Sequence, residues 1–159
     1  MERKMHKIAR QMPDAEAREL FEKGHHGILA LNGDEGYPYA VPVNYVYLNE
    51  KIYIHSAKVG YKMDALQKDS KCCFSAILSS EILPKQVTAA CESIIATGKV
   101  NLVEDEAERR TAMEPFVHRF CVDAIDEGMA FLEKALAKTA VLRIDVEQLT
   151  GKAYRGGQF

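Results

Sequence analysis

The stretch YPYAVPVNYVY, residues 37–47, restricts the fold more than any other part of the chain. Its odd positions, Tyr37, Tyr39, Val41, Val43, Tyr45 and Tyr47, are all large. Its even positions, Pro38, Ala40, Pro42, Asn44 and Val46, are mostly small or polar. A period of two marks a β-strand with one face against a core. Proline has no N–H to give a ladder, so two prolines of one parity leave this strand short of hydrogen bonds along one edge.

The neighbouring segments extend the pattern. HGILALN, residues 26–32, reads as a strand, and NGDEG is the turn that follows it. LNEK turns the chain again into the strand KIYIHS. Such short connections favour antiparallel pairing. Further on, CCFSAIL reads as a strand and ESIIATGKVNLVE as a long one, with Gly98 as a bulge. KTAVLRIDVEQL closes the series. Residues 79–91, with Pro84 among them, show no period and read as an irregular connection. The tail GKAYRGGQF reads as loose.

Helices are few. DAEARELFEK, residues 14–23, has Asp14 as N-cap, an apolar face of Ala17, Leu20 and Phe21, and Gly24 as a stop. Gly60 to Asp69 forms a second helix. A third opens at Asp105, with Glu108 three residues on as in a capping box, and Pro115 is expected to kink or break it. AIDEGMAFLEKAL makes a weaker fourth. The 159 residues suit one domain, residues 1–159. About six strands in that length predict a mainly β fold, a small antiparallel barrel with helices on its outside.

Composition excludes several classes. A net charge of −2 argues against binding nucleic acid through its phosphates. There is no run of eighteen apolar residues, so no membrane span is expected. The basic opening MERKMHKIARQMPD lacks the apolar centre of a signal peptide. Cys72, Cys73, Cys91 and Cys121 form no C-x-x-C, and reduced thiols in a cytoplasmic protein are the simplest reading. Neither a dinucleotide glycine fingerprint, nor a P-loop, nor a G-x-S-x-G elbow occurs. Adjacent His25 and His26 are badly spaced for one metal, so no metal is expected. Glu104, Asp105 and Glu106 read as a solvated helix start, and His118 as a structural histidine.

The junction IYIHSAKVGYKMDAL, residues 52–66, carries the chemistry. A strand hands over to a helix through His55, Ser56, Lys58, Gly60 and Lys62. Backbone N–H groups near Gly60 open the helix and can face an anion, and Lys62 in the first turn supplies a point charge. An exposed basic turn is the plainer reading of the same spacing. The small face bearing Asn44 could pass close to a flat ring. A ring plus a phosphate describes a mononucleotide.

The run GYPYAVPVNYVYLNEKIYIHSAKVGYKMDAL resembles the flavin-binding segment of the pyridoxamine 5′-phosphate oxidase-like family, and within it the nitroimidazole-resistance type of small flavoproteins. KCCFSAIL and ESIIATGKVNLVED follow the same pattern. The resemblance implies a split β-barrel, a homodimer and an FMN site at its interface. It implies that Val41, Pro42, Val43, Asn44 and Tyr45 line the flavin ring, and that His55 and Ser56 meet the ribityl or phosphate end. Lys62 matches a phosphate-binding lysine, and Tyr61 stands where the true oxidases place an arginine. Ser93 matches a polar flavin contact, reached across the dimer. The ending AYRGGQF lacks the arginine-histidine-arginine signature that grips the substrate phosphate, so pyridoxamine phosphate oxidation is not expected.

The implied function is an FMN-dependent oxidoreductase acting on a small molecule, such as a nitroaromatic or quinone-like compound. The catalytic residue is unknown. His55 is the candidate for proton transfer, because its ordinary pKa lies near neutrality. A non-catalytic flavin-binding or sensing module would need the same residues, and a split barrel can also hold haem or a deazaflavin.

Overall fold

A computed structural model describes residues 4–157. Seven strands form one sheet: β1 (His26–Asn32), β2 (Pro38–Asn44), β3 (Val46–Leu48), β4 (Lys51–Ala57), β5 (Lys71–Leu83), β6 (Thr88–Leu102) and β7 (Thr139–Tyr154). Four α-helices accompany them: α1 (Asp14–Lys23), α2 (Tyr61–Lys68), α3 (Glu106–Phe120) and α4 (Ile125–Ala135). The strand order is β2-β1-β5-β6-β7-β4-β3, antiparallel throughout. The first and last strands of that order, β2 and β3, are joined by Tyr45 alone, so the sheet curls round on itself. Facing edges of β2 and β4 lie close without laddering, which splits the barrel.

The run 37–47 is therefore two strands, where its alternation predicts one. Tyr45 breaks it: its side chain is fully buried, and its hydroxyl donates to the Phe21 carbonyl at 3.0 Å. Its N–H donates to the carbonyl of His25. The chain crosses from one edge of the sheet to the other at this point while its apolar positions stay inward. Pro38 and Pro42 sit on an edge strand with a partner on one side only, as their missing donors require. Asn49 and Glu50, at φ of 50° and 61°, make the tight turn between β3 and β4.

Leu29, Leu31, Ile52, Ile54, Phe74, Ile94, Leu142 and Ile144 fill the barrel interior. Phe21 of α1 enters it, with ring centroids 4.8 Å from both Tyr45 and Tyr47. A second apolar cluster lies outside the barrel, where Met113, Phe116 and Val117 of α3 and Leu132 of α4 cover Val46, Tyr53 and Val141. The outer face of β2, β1, β5 and β6 has no such cover among the described residues. Pro42, Ile28, Ser75 and Ile95 are successive cross-strand partners on it. Ile28, Ile77 and Ile95 stand 38%, 70% and 53% exposed there.

Four further expectations need correction. Residues 79–91 are not irregular: β5 and β6 continue as a hairpin arm, turned at Pro84–Gln86. Most of its side chains face solvent, so no burial period marks it in the sequence. The tail is not loose as far as it is described, since β7 runs to Tyr154, paired with Cys91 of β6. Gln158 and Phe159 lie outside the described residues. Pro13 occupies the N-cap of α1, and Asp14 is its first residue without a side-chain cap bond. Pro115 does not break α3, whose flanking Met113, Phe116 and Val117 are buried on both sides of it. Two detailed expectations hold. The β6–β7 register shifts between Thr97 and Gly98, and Asp105 caps α3 by accepting the Glu108 N–H at 2.7 Å.

Candidate functional site

The split in the barrel opens as a cleft of about 580 Å³. Tyr39 of β2, His55 to Ala57 of β4, Gly60 to Lys62 at the start of α2, and Lys138 with Thr139 at the start of β7 line it. Sequence reasoning anticipates His55, Ser56, Gly60, Tyr61 and Lys62, and these do come together. It misses Tyr39, Lys138 and Thr139. Thr139 is legible only through register, as the ladder partner of Ala57.

Gly60 is the pivot. Its φ of 109° is a conformation that side chains resist, and a Cβ there would meet open space. It lets β4 turn sharply into α2. No side chain caps that helix, so its first N–H groups face the cleft with the positive end of the helix dipole behind them. Lys62 is half-buried and forms no ion pair among the described residues. Burial pushes its pKa down from the ordinary 10.5. An uncompensated ammonium beside uncapped amides is a cradle for an anion, and a phosphate group fits those donors.

His55 stands between this cleft and the α3 helix. Its ring meets Phe116 edge-on, with centroids 5.0 Å apart. Desolvation, and then the Lys62 charge, lower its pKa from 6.5, which favours the neutral ring. Tyr61 is engaged within the chain. Its hydroxyl accepts the Asp34 N–H at 2.6 Å, and its ring lies 4.4 Å from that of Tyr39. It forms part of the cleft wall and ties α2 to the turn before β2. Lys58 is also engaged, donating to the Ala137 carbonyl at 2.6 Å. Arg109 donates to the carbonyls of Leu136 and Thr139. These two cations hold the bend that brings Lys138 and Thr139 to the cleft.

The β2 residues divide by face. Pro42 and Asn44 are exposed, whereas Val41 and Val43 pack toward the barrel interior and the Tyr45 side chain is buried. Only the backbone of those three odd residues can face a ligand at the split. Ser93 lies on the outer face of β6, paired with Ile77 and Lys152. Three strand spacings of about 4.8 Å separate β6 from β2, so Ser93 is outside the cleft of its own chain. His25 and His26 are exposed beside Phe120, and His118 is exposed as well, which removes it from the core. Among the described residues no three His, Cys, Asp or Glu side chains converge as metal ligands.

The family model described as pyridoxamine 5′-phosphate oxidase matches residues 13–153, from the start of α1 to the end of β7. The chain belongs to this family. Its fold, a mainly β split barrel, is the family's fold. Solved structures with the same fold include a candidate 5-nitroimidazole antibiotic resistance protein from Bacteroides thetaiotaomicron. It is 24% identical, with a TM-score of 0.69, over 90% of this chain and 86% of that one. A conserved hypothetical protein from Mycobacterium tuberculosis aligns over 98% of this chain and 97% of its own, at 15% identity and a TM-score of 0.81. A FAD-binding protein from Mesorhizobium loti is 19% identical over 91% of this chain and 95% of its own, with a TM-score of 0.65. No match was found among curated proteins. No helix among the described residues is long and apolar enough to cross a membrane.

Proposed function

We propose that the protein binds FMN at the split of the barrel and acts as an oxidoreductase on a small molecule. The observation that carries this reading is the start of α2, where Gly60 exposes uncapped amides beside an unpaired Lys62. The phosphate would rest on those groups and on Ser56. The ring would lie along the small face of Pro42 and Asn44, with backbone groups of β2 at its polar edge. Family membership and a FAD-binding fold neighbour support a flavin as the ring compound. Bound flavin supplies the redox chemistry, while the chain binds and orients it and keeps water from it. Neutral His55 can accept or donate one proton at the edge of the cleft.

Pyridoxamine phosphate oxidation does not suit the chain's end. Arg155, the cation of the AYRGGQF ending, is paired with Glu92 and Glu16 instead of standing open to a substrate phosphate. A homodimer suits the bare outer face of β2, β1, β5 and β6. Pairing those faces would bury Ile28, Ile77 and Ile95 and bring the partner's strands, including the position of Ser93, toward the split.

Equilibrium dialysis against FMN and FAD, with a visible spectrum of the purified protein, tests the cofactor. Saturable binding of FMN at one per chain is expected, and no flavin binding would overturn the proposal. Stopped-flow mixing of the FMN-loaded protein with NADH or NADPH tests the redox role, with bleaching of the flavin absorbance as the expected signal.

A further inference from the structure

A second cavity, of about 340 Å³, lies beside the cleft and shares His55 and Thr139 with it. The two differ sharply in chemistry. The cleft carries Lys62 and Lys138. The cavity lies between α3 and α4 and is walled by Phe116, Phe120, Phe131, Leu132 and Leu136, with no Lys, Arg, Asp or Glu in its lining. Asn44 of β2 and His55 of β4 stand in its wall. Phe116 and Phe120 are near-parallel, at 16° between planes and 6.2 Å between centroids. Thr139 donates its hydroxyl proton to the Ala135 carbonyl, so apart from the weakly polar Cys121 thiol, Asn44 and His55 are the polar groups in the wall free to meet a ligand.

We infer that the cavity between α3 and α4 binds an uncharged, planar aromatic molecule of two fused rings that carries a hydrogen-bond acceptor, held by Asn44 and His55. Size argues for the rings: an apolar cavity of about 150 Å³ takes one benzene, and this one is roughly twice that. The absence of charge in the lining selects a neutral compound, since burying an unpaired ion there is costly. The wall of phenylalanines selects a flat one, because rings stack or meet edge-on. Phe131, 71% exposed at the surface of α4, forms the lip. As a binding site the cavity stands alone. As the substrate site of a flavin enzyme it rests on the reading above, in which Asn44 also borders the flavin ring.

The test is a calorimetric titration with 1-naphthamide, a neutral, unreactive two-ring amide, on the full chain with and without FMN. Saturable binding near one per chain is expected in both forms. Asn44→Ala should weaken it about three- to tenfold, and Phe131→Glu, a change at an exposed position, at least fivefold. Inorganic phosphate affinity should be unchanged in Phe131→Glu, which shows that the variant is folded. Absence of saturable binding, or binding indifferent to both substitutions, overturns the inference. Loss of naphthamide binding on saturation with FMN also overturns it, since the cavity would then hold the cofactor's own ring. If FMN fails to bind but naphthamide binds as described, the flavin proposal falls and the cavity assignment stands.

Discussion

At the scale of single residues, two side chains and one glycine set the cleft's chemistry. Lys62 is expected to bear the phosphate charge. A charged hydrogen bond contributes roughly 1.5–3 kcal/mol, so Lys62→Ala should weaken FMN binding about ten- to a hundredfold in dialysis while leaving the circular dichroism spectrum unchanged. Gly60 acts through backbone conformation, not contact. Its substitution by Ala meets open space but strains a φ of 109°, so Gly60→Ala should lower both stability and FMN affinity. His55 offers a pH readout. Its folded pKa lies below the 6.5 of a free imidazole, so the unfolded chain takes up a proton that the folded chain refuses. Between those two midpoints stability therefore falls as pH falls. An NMR titration of the ring protons should show a midpoint below 6.5 in the free protein, moving upward when phosphate or FMN adds negative charge. A midpoint at or above 6.5 without ligand would contradict the crowding by Phe116 and Lys62.

At the scale of elements, helix termini do much of the positioning. Asp105 caps α3, and Asp105→Ala should cost about 1 kcal/mol, seen as a lower midpoint in urea with an unchanged slope. Glu108 does not complete the capping box. Its carboxylate instead accepts from Arg143 at 2.9 Å and from the Tyr53 hydroxyl at 2.9 Å, fastening the start of α3 to β4 and β7. The Arg143 hydrogen bond holds the Glu108 pKa below 4.5. At the other end of α3, Arg119 donates to the carbonyls of Glu22 and Gly24, closing the end of α1. Helix α3 is thus fixed at both ends to the barrel, and Phe116 is held against His55. Gly24 sits at the end of α1 with extended backbone, and a Cβ there would strike the Tyr45 hydroxyl. It is a glycine for close approach, and its role as a helix stop follows from that.

At the scale of the whole molecule, the two halves of the barrel's outside have different fates. The β3-β4-β7 side is covered by α3 and α4. The β2-β1-β5-β6 side presents Ile28, Ile77 and Ile95 in the open. If the proposed homodimer forms, this patch is its interface, and a twofold contact uses the same patch on both copies. Sedimentation equilibrium at micromolar concentration should give twice the 17.8 kDa of one chain. Ile95→Lys, placed at the centre of the face and away from the cleft, should shift the mass toward one chain. A wild-type mass near 17.8 kDa with FMN bound would rule out a shared site.

What the sequence determined by itself is local. The alternation in β2, the glycine-bearing turn after β1, the strand-to-helix junction at His55–Lys62, the bulge at Gly98 and the cap at Asp105 are each written within a dozen consecutive residues. Propensity, side-chain parity and missing N–H groups act over that range. Tertiary structure decided the rest. The break at Tyr45 depends on Phe21, from another element, which buries the ring and accepts its hydroxyl. The arm of β5 and β6 is a local hairpin whose mostly exposed side chains carry no burial period, and the end of β7 is held by ladder pairs to β6, far earlier in the sequence. Lys138 and Thr139 reach the cleft because Thr139 pairs with Ala57 and because Arg109 and Lys58 hold the preceding bend. The apolar cavity exists only where α3 and α4 lie together beside Asn44, at the end of β2, and His55 of β4. Hydrogen-bond registry and side-chain packing between distant segments depend on where the folded chain places its partners, and no single stretch of sequence records that.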